Sequence, residues 1–286
     1  MTIDEKRVPH SYLLDNDAEQ AETRFDELSR IYDGNTIRHI EQRGITGGWS
    51  CLEIGAGGGS ITAWLCERVG DMGRVLATDI NPRCLHALSF SNLEVRQHDI
   101  RCDLLPKRTF DLVHARLVLM HLPEREDILE RMVNALKPGG WIVVEEFDAL
   151  SLLPDSSVNP EEVSLMISRA FRQVLSEGGV DLSYGRVLPQ KLRGHGLTNI
   201  GAEGSTQIWG GRSPGTRLMK ANYEQLRQEI LGTGLLSERE FAESLAQLDS
   251  EDFLVPSSIM WTAWGRRSVS AKTPRFTSFS ESQSAL

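Results

Sequence analysis

The sequence is poor in cysteine, has no long apolar run and carries too little positive charge to attract polyanions. Its four cysteines, Cys51, Cys66, Cys84 and Cys102, stand without C-x-x-C or Cys/His spacing. That excludes a zinc site built on such spacing and reads as buried, reduced thiols, so no metal is expected. No stretch of about 18 consecutive apolar residues occurs, and the opening MTIDEKRVPHSYLLDNDAEQ lacks the apolar segment of a secretory signal. The expectation is a cytoplasmic protein with no membrane association. With 40 acidic against 31 basic residues the formal charge is −9, a field that repels phosphate backbones and anionic bilayers. Nucleic acid is therefore not an expected partner.

What is present is a chain of 286 residues, 40% hydrophobic, long enough to bury a sizeable core. Residues 16–42 are charged, with apolar positions at helical spacing, and read as two helices broken near Asp33-Gly34 and lying outside the main sheet. A strand over 50–54, a glycine loop and a helix over 60–69 follow. RVLATDIN (74–81), LEVRQHDI (93–100) and the start of FDLVHARLVLMHL (110–122) read as further strands. A helix over 124–136 and the turn Pro138-Gly139-Gly140 lead into a fifth strand ending near Asp148. Strands alternating with helices at this spacing predict a doubly wound α/β fold with a mostly parallel sheet. Beyond Asp148 the pattern loosens: helices are expected near 160–178, 184–194, 214–231 and 237–248, and strands near 198–209 and 253–267. The serine-rich tail from Ser268 has nothing to pack and is expected to be disordered.

In an open α/β sheet, ligands bind outside the carboxyl ends of the strands where strand order reverses. Several polar features fall at such ends: the loop of CLEIGAGGGS (51–60), Asp79, Asp99 and the Arg116 region. Glycines at 55, 57, 58 and 59 let backbone approach a ligand closely. A dinucleotide site would want G-x-G-x-x-G, but the sixth position falls on Ser60 or Thr62, depending on which glycine starts the motif. Glu53, two residues ahead of the loop, would also repel a pyrophosphate and suits a ligand with a cationic end.

The stretch LEIGAGGGS resembles the first motif of class I S-adenosylmethionine-dependent methyltransferases. FDLVHARLVLMHL and LKPGGWIVVEE resemble later segments of the small-molecule members akin to those of quinone biosynthesis and actinobacterial natural products. The resemblance covers roughly residues 45–150. It implies a Rossmann-like, seven-stranded methyltransferase fold with an N-terminal helical lid (1–44) and a cofactor-binding core (45–150). A completing segment (151–267) would carry a substrate-binding helical insertion before the last strand, followed by the disordered tail (268–286). It places Glu53, Gly55, Ala56, Gly57, Gly59, Ala115 and Arg116 against S-adenosyl-L-methionine. Asp79 would accept the ribose hydroxyls and Asp99 the adenine amino group, between apolar walls at Ile80 and Ile100. No N-P-P-Y or D-P-P-Y tetrapeptide stands at the end of the fourth strand, where the sequence reads HARL; that motif resembles a clamp for nucleobase amines, so DNA methylation loses support.

Methyl transfer from a sulfonium is an in-line displacement, which asks chiefly for alignment and exclusion of water. Glu146, His114, Tyr32 and Tyr12 are the candidates for orienting or deprotonating an acceptor. Each also has a packing role to fill, as has Arg116, which is equally suited to an ion pair with Glu145 or Glu146. Trp209, Met219, Tyr223, Trp261 and Trp264 could wall a flat, apolar acceptor. The expected partner is a small aromatic, indole-, quinone- or polyketide-like metabolite, methylated on carbon, nitrogen or oxygen. A binding module of the same fold, or a catalyst of a non-methylating rearrangement, is the competing reading. A homodimer exchanging N-terminal arms stays open.

Overall fold

The computed structural model describes residues 13–150 and 163–269, so Tyr12 and nearly all of the serine-rich tail lie outside the described residues. The first five strands read from the sequence build one edge and the centre of a seven-stranded sheet. They are β1 (Ser50–Ile54), β2 (Arg74–Asp79), β3 (Leu93–Gln97), β4 (Phe110–Arg116) and β5 (Leu136–Asp148). The chain then adds β6 (Thr198–Ser205), a short β7 (Ile208–Gly210), a short β8 (Leu254–Pro256) and β9 (Ile259–Arg266). The order across the sheet is β3-β2-β1-β4-β5-β9-β6. Neighbours from β3 to β5 run parallel, whereas β9 is antiparallel to both β5 and β6. Strand order therefore reverses between β1 and β4.

Successive side chains of a strand point to opposite faces, and the central strands use both. Cys51, Val75, Leu112 and Val143 pack on one side with Ile61, Leu65 and Val69 of α2 (Ser60–Val69) and with Ile40 of α1 (Ala21–Gln42). Their neighbours Leu52, Leu76, Val113 and Val144 face the other side. There they meet Ile128 and Met132 of α3 (Arg125–Ala135) and Leu188 and Leu192 of α5 (Tyr184–Gly194). A strand buried on both faces needs apolar residues at consecutive positions, which is why these strands read as continuous apolar runs.

The remaining helices, α4 (Val163–Glu177), α6 (Pro214–Gln225), α7 (Arg227–Gly232) and α8 (Glu238–Gln247), extend the second layer. They close over the sheet's carboxyl ends through Ile167, Tyr223, Ile230 and Phe241. Two expectations need correction. First, α1 runs unbroken through Asp33 and Gly34. A glycine inside a helix costs only about 1 kcal/mol, and the contacts of Asp33 and Thr36 described below hold the helix against the sheet. Second, the late strands are each split: β7 and β8 leave the main sheet and pair with each other.

The close packing of α5 on β5 gives a direct test. A Cβ at Gly185 would collide with the carbonyl oxygen of Glu146 and stand 2.9 Å from that of Phe147, backbone atoms that cannot swing aside. Gly185→Ala is expected to lose about 2–3 kcal/mol of unfolding free energy in a denaturant titration.

Candidate functional site

A cavity of about 300 Å³ opens where strand order reverses, between the carboxyl ends of β1, β2 and β4 and the helices above them. The structure gathers there most of the residues expected to hold a cofactor. Glu53, Gly55, Ala56, Gly57, Asp79, Ile80, Asp99, Ile100 and Arg116 all line this one space. Gly55 and Gly57 have φ of +66° and +53°, the left-handed region that glycine adopts without penalty. A Cβ on Gly55 would also collide with Val118, and one on Gly57 with the ring of Phe25.

Asp79 ends β2 almost fully buried. Its Oδ2 accepts the Gly57 N–H at 2.9 Å, and its Oδ1 accepts the Asn81 N–H at 2.9 Å and the Asn16 amide at 3.3 Å. Burial raises its pKa despite these hydrogen bonds, and no cation pairs with it among the described residues. Asp99 differs: Arg101 grips it from Nε and Nη2, at 2.9, 3.1 and 2.8 Å, and these hydrogen bonds hold its carboxyl below the usual range. The acid expected to meet an adenine amine is thus already committed to a guanidinium.

Beneath the cavity lies a buried line of charge. Glu53, His114 and Glu145 share the sheet face that carries Cys51, Leu112 and Val143, two residues earlier on each strand. His114 Nδ1 is 3.5 Å from Glu53 Oε1, and its Nε2 is 3.4 Å from Glu145 Oε2. Burial opposes charge on the imidazole, but the hydrogen bond to Glu145 and the nearby Glu53 carboxylate outweigh it and raise the pKa. Glu145 is correspondingly lowered: burial acts against ionisation and contact with His114 overrides it. Hydroxyls complete the array, Thr62 of α2 donating to Glu53, and Thr36 of α1 and Thr262 of β9 to Glu145. Arg116 then joins α1 to β4, donating to Thr36 Oγ1 at 3.0 Å and pairing with Asp33 at 2.9 Å. Its ion-pair partner among the described residues is Asp33; the pair with Glu145 or Glu146, one of the two roles open to it from the sequence, does not form there.

The catalytic candidates do not fare as expected. His114 is enclosed between carboxylates and outside the cavity lining. Tyr32 is buried against Phe147, ring centroids 5.7 Å apart, and burial pushes its phenol far above the ordinary range. Glu146 also stands outside the cavity lining. Its Oε1 accepts the N–H groups of Leu119 at 2.6 Å and Val118 at 3.2 Å, so it braces the loop that presses Val118 toward Gly55. Burial raises its pKa to about 8. Gly59 and Ala115 likewise stand outside the lining; a Cβ on Gly59 would strike Leu85 and Leu88.

Of the late residues expected to wall an acceptor, Trp209, Met219, Tyr223, Trp261 and Trp264, none lines the cavity. Tyr223 supports it from behind, its ring edge-on to Phe171 at 5.2 Å. The walls come instead from Phe25, Phe147, Phe171, Leu175 and Leu218. Polar Arg24, His121 and Asn222 also line it and were not singled out from the sequence. Burial, with Arg24 and Arg125 nearby, lowers the His121 pKa to about 3, so its imidazole is neutral at physiological pH.

Residues 52–142 match the family model described as a methyltransferase domain. The chain is 37% identical over 100 residues to Methyltransferase str3 of Strobilurus tenacellus, a match covering 35% of each chain. Over 164 residues it is 29% identical to the ubiquinone/menaquinone biosynthesis C-methyltransferase UbiE of Enterobacter sp. (strain 638), covering 54% of this chain and 64% of that one. The chain thus spans between about a third and two thirds of these relatives' lengths. Among solved structures, phosphoethanolamine N-methyltransferase 2 of Haemonchus contortus, in complex with phosphomonomethylethanolamine and S-adenosylhomocysteine, aligns with a TM-score of 0.57 at 15% identity. That match covers 92% of this chain and 61% of the other. YcgJ of Bacillus subtilis aligns at 0.51 and 13% identity, covering 83% and 99%. These two likenesses show the fold.

Glu146 provides the pH test of this architecture. Its folded-state pKa of about 8 lies above the ordinary value of 4.5, so the native state binds the extra proton between those limits. Its contribution is full below about pH 4.5 and is lost as pH rises toward 8. Glu146→Gln, followed by denaturant unfolding from pH 4.5 to 8, is expected to show a shallower decline in stability than the parent. Glu146→Ala orphans two buried amides and is expected to cost about 2–4 kcal/mol throughout.

Proposed function

We propose that this chain, whose residues 52–142 belong to the methyltransferase domains, is a class I S-adenosylmethionine-dependent methyltransferase acting on a small molecule with a flat, largely apolar body. The observation that carries the reading is Asp79. It is a buried carboxylate at the end of β2, hydrogen-bonded to the Gly57 backbone, lining the cavity with no cation to pair with among the described residues. A desolvated acid in that situation is best satisfied by neutral donors such as a vicinal diol.

The residues present fit the cofactor. Asp79 would take its ribose hydroxyls, Ile80 and Ile100 would flank its ring, and the side-chain-free backbone at Gly55 and Gly57 would lie along its amino-acid arm. Glu53, at the cavity floor, would favour the cationic end. When bound, S-adenosylmethionine supplies a methyl group on a positively charged sulfur. The chain's own contribution is to align and to exclude water: Phe25, Phe147, Leu117 and Val118 form apolar walls around the reacting space.

Proton removal is a minor part of the reading. Among the described lining residues His121 is the one imidazole besides His98, and a pKa of about 3 makes it a hydrogen-bond acceptor and a weak base. That favours acceptors whose nucleophile needs no strongly held proton removed, such as an electron-rich carbon, a free amine or an already ionised oxygen. The UbiE relative, a C-methyltransferase of quinone biosynthesis, supports the carbon option.

Isothermal titration with S-adenosylhomocysteine is expected to show binding to the intact protein, weakened at least about tenfold in Asp79→Ala by loss of charge-assisted hydrogen bonds. Labelled methyl should pass from cofactor to candidate acceptors. No binding by the parent protein would sink the proposal; binding without any methyl transfer would favour a binding module.

A further inference from the structure

Arg24 presents an imbalance of charge that the cofactor reading leaves unused. It sits in the first turn of α1, 3% exposed, and lines the cavity. Its Nε donates to Asn222 Oδ1 at 3.1 Å, and its Nη1 to the Leu14 carbonyl and to Gln225 Oε1, both at 3.1 Å. All three acceptors are neutral, and no carboxylate among the described residues forms an ion pair with it. Asp26, two residues on, also borders the cavity but is exposed and does not reach the guanidinium. A buried guanidinium is ordinarily matched by an anion, because neutral oxygens replace its hydration only in part. The carboxyl end of α6 offers the equivalent of about half a negative charge, which leaves the cation in excess.

Arg125, the second cation acting on His121, is paired with Asp181 at 3.6 Å and stands outside the cavity lining, so the uncompensated charge at this end is that of Arg24 itself.

The positive end also lies on the side that the late part of the chain builds. Asn222, which holds Arg24, is one turn beyond Leu218 on α6, so both present to the same face, and both line the cavity with Phe171 and Leu175 of α4. Asp79, Gly55 and Gly57 belong to the core within 52–142, whereas this wall follows it.

We propose that Arg24, steered by Asn222 and Gln225, is the anchor for an anionic group on the methyl acceptor, a carboxylate or phosphate monoester carried by an apolar body. The inference rests on the methyltransferase reading and narrows its acceptor class. Nε and Nη1 are taken by the three neutral acceptors, which leaves Nη2, with no acceptor among the described residues, to donate to an oxygen of either anion. Phe171, Leu175 and Leu218 would hold the apolar remainder.

The test uses the full chain loaded with S-adenosylhomocysteine and compares charged probes with uncharged isosteres by titration calorimetry: indole-3-acetate against indole-3-acetamide, and phenyl phosphate against its dimethyl ester. The charged member of at least one pair is expected to bind about tenfold more tightly, and the larger ratio assigns the anion. In Arg24→Gln that ratio should fall to near one while affinity for S-adenosylhomocysteine changes less than about twofold, with Arg24→Lys between. Equal binding of acid and isostere by the parent protein overturns the proposal, and needs no variant that folds. If Arg24→Gln instead weakens S-adenosylhomocysteine about tenfold and spares 5′-methylthioadenosine, which lacks the carboxylate, the arginine serves the cofactor and the proposal is wrong. Failure of the parent to bind S-adenosylhomocysteine overturns the function itself, and the acid-to-isostere ratio is then read on the unloaded protein, where equality again overturns the anion anchor.

Discussion

The imidazole of His114 held between Glu53 and Glu145 is the contact on which the rest of the arrangement depends. It joins β1, β4 and β5 across one face of the sheet, at the point where strand order reverses. Two carboxylates placed this close inside a protein would repel each other strongly without a cation between them. The proton that the raised His114 pKa favours eases that conflict, and hydroxyls complete the array: Thr62 of α2 and Thr262 of β9 donate to the second oxygens of Glu53 and Glu145, while Thr36 of α1 donates to the Glu145 oxygen that His114 also approaches. One buried cluster thereby links β1, β4, β5 and β9 with α1 and α2. Such arrays often cost stability relative to an apolar core; here the return is that Glu53 and the loop above it are held in one position.

Much of the central sheet was legible because physics leaves little choice there. Strands buried on both faces must be apolar at successive positions, and a glycine or an acid marked the limit of several, as in CLEIG and RVLATD. Asp79 could be placed for the same reason, being the last residue of its strand. The unbroken α1 could not be foreseen: Asp33-Gly34 is a local breaking signal, overruled by Arg116 from a strand some 80 residues away, which captures Asp33 and Thr36.

The acceptor side was much less legible. Helical periodicity says which residues share a face, not which neighbour that face meets, so Tyr223 was expected at the acceptor while Phe171 and Leu218, which line the cavity, were not singled out. Trp209 was claimed by the small β7–β8 pair and by the close approach of Gly215. Arg24 lies in a segment dense with charge, where a single arginine that ends up buried carries no mark in the sequence. His121 and Glu146 show the two sides of one difficulty. An acid inside the strand IVVEEF invited a substrate role, yet its oxygen went to two backbone amides of a neighbouring loop.

The attachment of α1 also bears on how anything enters or leaves. Thr36, Asp33 and Arg24 tie three successive stretches of that helix to β5, β4 and α6. Swinging it outward would uncover Glu145 and strip several hydrogen bonds in one motion, a concerted opening rather than a gradual one. Traffic past this wall is thus confined to motions of the shorter segments around it, with the helix acting as the fixed side of the passage.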